Sequence, residues 1–137
     1  GEDDAEICER LQRETSNVCL NAAGILSLSE TAAVLKRCEV VVSGDTGPAH
    51  LAVAVGTPVV GLYGATFSQR SGPYGCADLT IDQSNRCVCM GEKFCKVNQP
   101  GGPGECMHRI MLPDVIEKID FLLKYGRNVE NLQSLQD

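Results

Sequence analysis

Glu39-Val40-Val41-Val42-Ser43-Gly44-Asp45-Thr46-Gly47-Pro48-Ala49-His50, followed by Leu51-Ala52-Val53-Ala54-Val55, Gly56-Thr57-Pro58 and Val59-Val60-Gly61-Leu62-Tyr63, is the stretch that decides the fold. Residues 39–43 are a β-branched run, fit for a strand buried on both faces. Gly44 to Pro48 is a turn that feeds a short helix over 50–55. Gly56-Thr57-Pro58 stops that helix, and Val59–Tyr63 reads as the next strand. Two apolar strands joined through a helix predict a parallel pairing.

Working outward, Ala5–Glu14 reads as a helix with Ile7, Cys8 and Leu11 on one stripe and charges opposite. Residues 17–20 are a short strand candidate. Ser27, with Glu30 three positions on, has the form of a capping box that opens a second helix. Residues 79–81 suggest a further short strand, and 84–106 lack periodicity and read as a loop held by cysteines. A last helix starts near Pro113 and carries Val115, Ile116, Ile119, Leu122 and Leu123. These elements predict an α/β fold over residues 1–125, with a parallel sheet and right-handed crossovers, and a polar tail over 126–137. In such sheets ligands bind beyond the carboxyl ends of the strands. That singles out the loops at 21–27, 43–50 and 63–70.

A chain of 137 residues, 43% hydrophobic, suits one globular domain and argues against wholesale disorder. Its net charge of −6 offers no basic surface for a polyanion, so nucleic acid is not an expected partner. The uncharged stretch 46–69 is broken by Gly56-Thr57-Pro58 and does not read as a membrane span. The acidic opening Gly1-Glu2-Asp3-Asp4 precedes no hydrophobic run, so no signal peptide is expected.

The chemistry concentrates after the 39–43 strand. Thr46 is placed as an N-cap, Gly47 lets the backbone approach a ligand, and Pro48 is tolerated where no helical N–H bond is lost. Unpaired amides at the positive end of the helix dipole suit a phosphate or diphosphate. Asp45 would repel that anion if aimed at it. Set to one side, it would accept hydrogen bonds from sugar hydroxyls. His50, one turn into the helix, is in reach to donate to the phosphate. A capped helix with an acidic turn, and His50 as a structural histidine, is the alternative reading of the same residues.

Eight cysteines are many for this length. Cys8, Cys19 and Cys38 sit among apolar residues and read as small buried hydrophobes; Cys76 falls in a loop. Cys87, Cys89, Cys95 and Cys106 could give four thiolates to a tetrahedral structural zinc, with His108 in reserve. The Cys-x-Cys spacing is tighter than usual zinc ligands have. Free thiols or disulfides are the alternatives.

The 45–66 stretch, from Asp45-Thr46-Gly47-Pro48-Ala49-His50 to Tyr63-Gly64-Ala65-Thr66, closely resembles the signature of glycosyltransferase family 9, whose best-known members are the ADP-heptose:lipopolysaccharide heptosyltransferases. Ala23-Gly24 with Ser27-Leu28-Ser29-Glu30, and Cys106-Met107 with Ile110, Pro113 and Val115, resemble its flanking motifs. The resemblance implies the C-terminal, Rossmann-like half of a GT-B enzyme that inverts the sugar it transfers. It implies that Asp45 binds donor-sugar hydroxyls and that the backbone of Thr46 and Gly47 holds the diphosphate, with His50 assisting and Pro48 part of the same donor-binding loop. It further implies that the loop from Asn21 to Gly24 lines the base, that Asp4 reaches the ribose, and that Thr66 faces the cleft. The expected partners are a nucleotide-diphosphate sugar, a glycan or glycolipid acceptor, and an N-terminal domain with the catalytic base. No catalytic cofactor is implied.

Departures are also visible. The chain opens at Gly1 without the preceding strands, and Phe67-Ser68 replace the usual acidic and proline residues. The expectation is therefore an N-terminally truncated piece, inactive alone, of an enzyme at the cytoplasmic side of the inner membrane. A non-catalytic nucleotide- or metal-binding module, and a nucleotide-sugar epimerase, are the rival expectations.

Overall fold

Three short strands, β1 (Val41–Ser43), β2 (Val59–Tyr63) and β3 (Thr80–Asp82), pair in parallel in the order β1-β2-β3 in the computed structural model. The structure describes residues 4–16, 18–87 and 104–125. Val41 lies opposite Val59 and Ser43 opposite Gly61, while Gly61 faces Thr80 and Tyr63 faces Asp82. The α/β fold with a parallel sheet is as the alternation of elements predicts.

The chain divides into two compact units, one ending at Ala33 and one starting at Val34. The first holds α1 (Ala5–Glu14) and the start of α2 (Leu28–Arg37). The capping box is formed: Glu30 Oε2 accepts the Ser27 N–H at 2.8 Å, and Ser27 Oγ accepts the Glu30 N–H at 3.3 Å. The Ser27 hydroxyl, then its backbone amide, hold the Glu30 carboxyl below its ordinary pKa.

The second unit contains the sheet, α3 (Gly47–Ala54), α4 (Ser68–Ser71), α5 (Glu105–His108) and α6 (Leu112–Tyr125). Successive strand residues point to opposite faces, so the full burial of both Val59 and Val60 means that both faces of β2 are covered. Ala49 and Ala52 on α3 are fully buried in the same core, with Leu79, Ile81, Val115 and Leu122. Alanine at those two positions lets the α3 backbone sit close to the strands. α3 ends as Gly56-Thr57-Pro58 predicts. Gly56, at φ +83°, donates its N–H to Val53 O, and Thr57 donates to Ala52 O, each at 2.9 Å. That is a Schellman closure, which requires the left-handed conformation glycine adopts freely. The buried Thr57 hydroxyl then donates to Leu35 O at 2.8 Å, fastening the end of α2.

Several expectations are corrected. Residues 18–20 form no strand; Val18 and Leu20 are 87% and 92% exposed, with no neighbouring strand among the described residues to complete a ladder. β1 is shorter than 39–43 and is not buried on both faces. Val40 and Val41 pack on the core, but Val42 remains exposed. α3 begins at Gly47 rather than at residue 50, because Thr46 already has the extended conformation of an N-cap. The third strand lies one residue later than 79–81, since a 3₁₀ turn occupies Ala77–Leu79. None of Cys8, Cys19 and Cys38 is buried, while Cys76 is. Around Cys8 the apolar stripe of α1 is not covered: Ile7 and Leu11 are themselves largely exposed. The tail over 126–137 lies outside the described residues. Among them, no helix is long and apolar enough to cross a membrane.

Candidate functional site

The loop from Ser43 to Pro48 leaves the carboxyl end of β1 and enters α3. Asp45, Thr46, Gly47, Pro48 and His50 are all exposed along it. Thr46 is the N-cap by backbone conformation (φ −144°, ψ 158°), yet its hydroxyl does not cap the helix. It pairs with the Ser43 hydroxyl at 2.9 Å instead. Ala49 donates its N–H to Thr46 O at 3.1 Å, and Pro48 has no N–H to give. The Thr46 and Gly47 amides are left without a protein acceptor among the described residues. No acidic side chain occupies the first turn, so the positive end of the helix dipole is uncompensated there. Two free amides at an uncompensated helix start can donate to an anionic oxygen.

Asp45 is held by a residue that no local pattern reveals. Its Oδ2 accepts a hydrogen bond from Ser71 Oγ at 2.7 Å, across 26 positions of sequence. Ser71 closes α4, whose own position is set from two directions. Asp82, at the end of β3, accepts the Ser68 N–H at 3.0 Å and the Ser68 hydroxyl on Oδ2, and the Ser84 N–H at 2.7 Å on Oδ1. Tyr63, buried at the end of β2, donates its hydroxyl to Ser71 O at 3.0 Å. Burial pushes the Asp82 carboxyl up, but the bonds from Ser68 and Ser84 outweigh it and hold the pKa below its ordinary value. The Tyr63 phenol is raised by burial first, then by the charges of Asp45 and Asp82. Thr66 is half-buried in the loop between β2 and α4.

In the first unit, a cavity of about 320 Å³ is lined by Asp4, Cys8, Leu11, Cys19 and the loop from Leu20 to Ala23. Asp4 and Asn21 are therefore brought to one cavity, of a volume in the lower range for small-molecule sites. Asn21 Oδ1 accepts the Ala23 N–H at 2.9 Å, which fixes the turn that Gly24 follows. Asp45 and its neighbours belong to the other unit.

The cysteine cluster is described in part. Cys87 and Cys106 form a small buried cluster with Ala65 against it, and both are free thiols. Burial raises the Cys106 pKa, and the neighbouring Cys87 raises it further through charge and a thiol hydrogen bond. Cys89 and Cys95 lie outside the described residues. Among the described residues, no three His, Cys, Asp or Glu side chains gather as a metal site, and His108 is exposed. By donor chemistry, the adjacent Cys87 and Cys106 fit half of a tetrathiolate zinc set.

A parallel α/β sheet with an open helix start and a fixed carboxylate at its carboxyl edge defines the class: an α/β domain with a candidate site beyond the ends of its strands. Glycosyltransferase family 9 (heptosyltransferase) matches residues 1–98, and the chain belongs to that family. It is 38% identical over 68 residues to the lipooligosaccharide heptosyltransferase 2 of Haemophilus influenzae, covering 50% of this chain and 20% of that protein. To the lipopolysaccharide core heptosyltransferase OpsX of the same organism it is 36% identical over 76 residues, covering 56% of this chain and 22% of that protein. The lipopolysaccharide heptosyltransferase 2 of Escherichia coli is 36% identical over 59 residues, covering 43% of this chain and 17% of its own length. The chain thus spans about a fifth of the relatives it matches. No solved structure matches it.

Proposed function

We propose that this chain is the donor-binding part of an inverting glycosyltransferase of the GT-B architecture. In this reading it serves the transfer of a heptose-like sugar from ADP to a lipopolysaccharide-type glycan or glycolipid. The observation that carries the reading is the family match over residues that include Asp45 to His50, where two amides lack a protein acceptor. The acceptor hydroxyl oxygen attacks the anomeric carbon, the bond from that carbon to the diphosphate oxygen breaks, and a base takes the acceptor's proton. The start of α3 stabilises the charge that accumulates on the leaving diphosphate, through the Thr46 and Gly47 amides and the dipole. His50 adds a donor one turn in. Asp45 accepts hydroxyls of the sugar, Thr66 faces the cleft, and Asp4 with the Asn21 to Gly24 loop takes the nucleoside.

The base belongs to an N-terminal domain. Catalysis requires no cofactor in this scheme. A structural zinc would take Cys87 and Cys106 as two of its thiolates. The enzyme works at the cytoplasmic side of the inner membrane, where its donor and lipid-linked acceptor meet. Calorimetric titration with ADP-heptose and ADP tests the reading. Binding of both, weakened by His50→Ala, is expected; absence of binding to either refutes it.

A further inference from the structure

The proton on the Ser71 hydroxyl has two acceptors within reach, Asp45 Oδ2 at 2.7 Å and Phe67 O at 3.2 Å. A hydroxyl has one proton to give. Phe67 O already accepts the N–H groups of Arg70 and Ser71, each at 3.1 Å. The Asp45 carboxylate is closer and charged, and a charge-assisted bond is the stronger. The proton therefore goes to Asp45. That bond fixes the rotation of an otherwise exposed carboxylate and occupies Oδ2. Oδ1 has no protein donor among the described residues.

Ser71 is itself immobilised. Its carbonyl is held by the buried Tyr63 hydroxyl, and the other end of α4 is held by Asp82 through both the amide and the hydroxyl of Ser68. The two anchors, Tyr63 and Asp82, come from the carboxyl ends of β2 and β3, so the sheet itself sets the carboxylate's aim. A side chain that only needed to be acidic would not require this arrangement.

We propose that Ser71 is a positioning residue for sugar recognition: by holding Asp45 Oδ2, it presents Oδ1 as the acceptor for a hydroxyl of the donor's sugar. This rests on the reading of Asp45 as the sugar-binding carboxylate. Ser71 then acts on the sugar half of the donor and leaves the diphosphate half, held at the start of α3, untouched.

The test is calorimetric titration of the full chain and its Ser71→Ala, Ser71→Thr and Asp45→Ala variants with ADP-heptose and, separately, with ADP. Ser71→Ala is expected to bind ADP-heptose about ten-fold more weakly, the scale of one charged hydrogen bond, and ADP as the parent does. Ser71→Thr, which keeps the hydroxyl, restores the affinity for ADP-heptose. An unchanged affinity of Ser71→Ala for ADP-heptose, with Asp45→Ala weakened, overturns the positioning role alone. Equal losses for ADP and ADP-heptose in Ser71→Ala overturn it too, since a merely structural defect would act on both. If Asp45→Ala binds ADP-heptose like the parent, the underlying assignment of Asp45 fails instead.

Discussion

Replacing Gly64 by alanine would drive a methyl group into the contact between the β2 loop and α5. A Cβ built there lies 2.7 Å from Met107 Sδ, 2.8 Å from Cys106 Sγ and 3.3 Å from Cys106 Cβ. Ordinary carbon contacts sit at about 3.5–4.0 Å, so both sulfur contacts are well inside repulsion. The two neighbours differ in how they can yield. Met107 is 39% exposed and flexible, and its thioether can swing away at little cost. Cys106 is buried against Cys87 and Ala65, and its Cβ is itself crowded, so the backbone of α5 or of the loop must shift. Overpacking of this kind costs about 1–3 kcal/mol. At roughly 4 °C per kcal/mol for a chain of this size, the midpoint of thermal unfolding should fall by about 4–12 °C. Urea unfolding followed by circular dichroism provides the free energies. A double-mutant cycle with Cys106→Ala assigns the cause, since removing Sγ should relieve part of the Gly64→Ala cost. Strict additivity of the two changes, or a Gly64→Ala chain as stable as the parent, would refute the packing argument.

Asp82→Asn should destabilise the chain by about 1–3 kcal/mol at neutral pH, because three donors lose a charged acceptor. The folded-state pKa of Asp82 lies below its ordinary 3.8, so its contribution is fully present above that value and is lost as pH falls through the lower folded value. The difference between parent and variant should hold from pH 7 to 5 and shrink on acidification below about 3.8; a difference that varies between pH 7 and 5 contradicts the assignment. Thiol labelling read by peptide mass spectrometry should modify exposed Cys19 rapidly, and Cys76, Cys87 and Cys106 only on unfolding. Fast native-state labelling of Cys106 would contradict its burial beside Cys87.

Local periodicity and short motifs already determine where α1, α2, β2 and α6 run. Each is written in neighbouring residues: a stripe, a Ser27–Glu30 box, an apolar run after the Gly56-Thr57-Pro58 stop, a Pro113 start. The N-cap of α3 at Thr46 is legible for the same reason, although the apolar run 50–55 places the helix body three residues too late. Thr46, Gly47 and Pro48 impose its conformation within four residues, although the diversion of the Thr46 hydroxyl to Ser43 is a choice between two nearby partners that the sequence leaves open. The 18–20 run shows the limit of such reasoning. Val18 and Leu20 have strand-like side chains, but a strand exists only where another backbone lies alongside it. The same limit applies to Cys8, Cys19 and Cys38, whose apolar neighbours in sequence are not the neighbours that would bury them.

What tertiary structure alone decides is the aim of Asp45. The Ser71 hydroxyl, the Tyr63 phenol and the Asp82 carboxylate come together only because β1, β2 and β3 pair in parallel and end at the same edge. Nothing in the composition of Ser68-Gln69-Arg70-Ser71 distinguishes it from an ordinary polar turn. The sequence by itself determines that an acidic residue stands before a helix start. The sheet register determines which of its oxygens is free, because a hydrogen bond spanning 26 residues depends on distances that only the folded backbone sets.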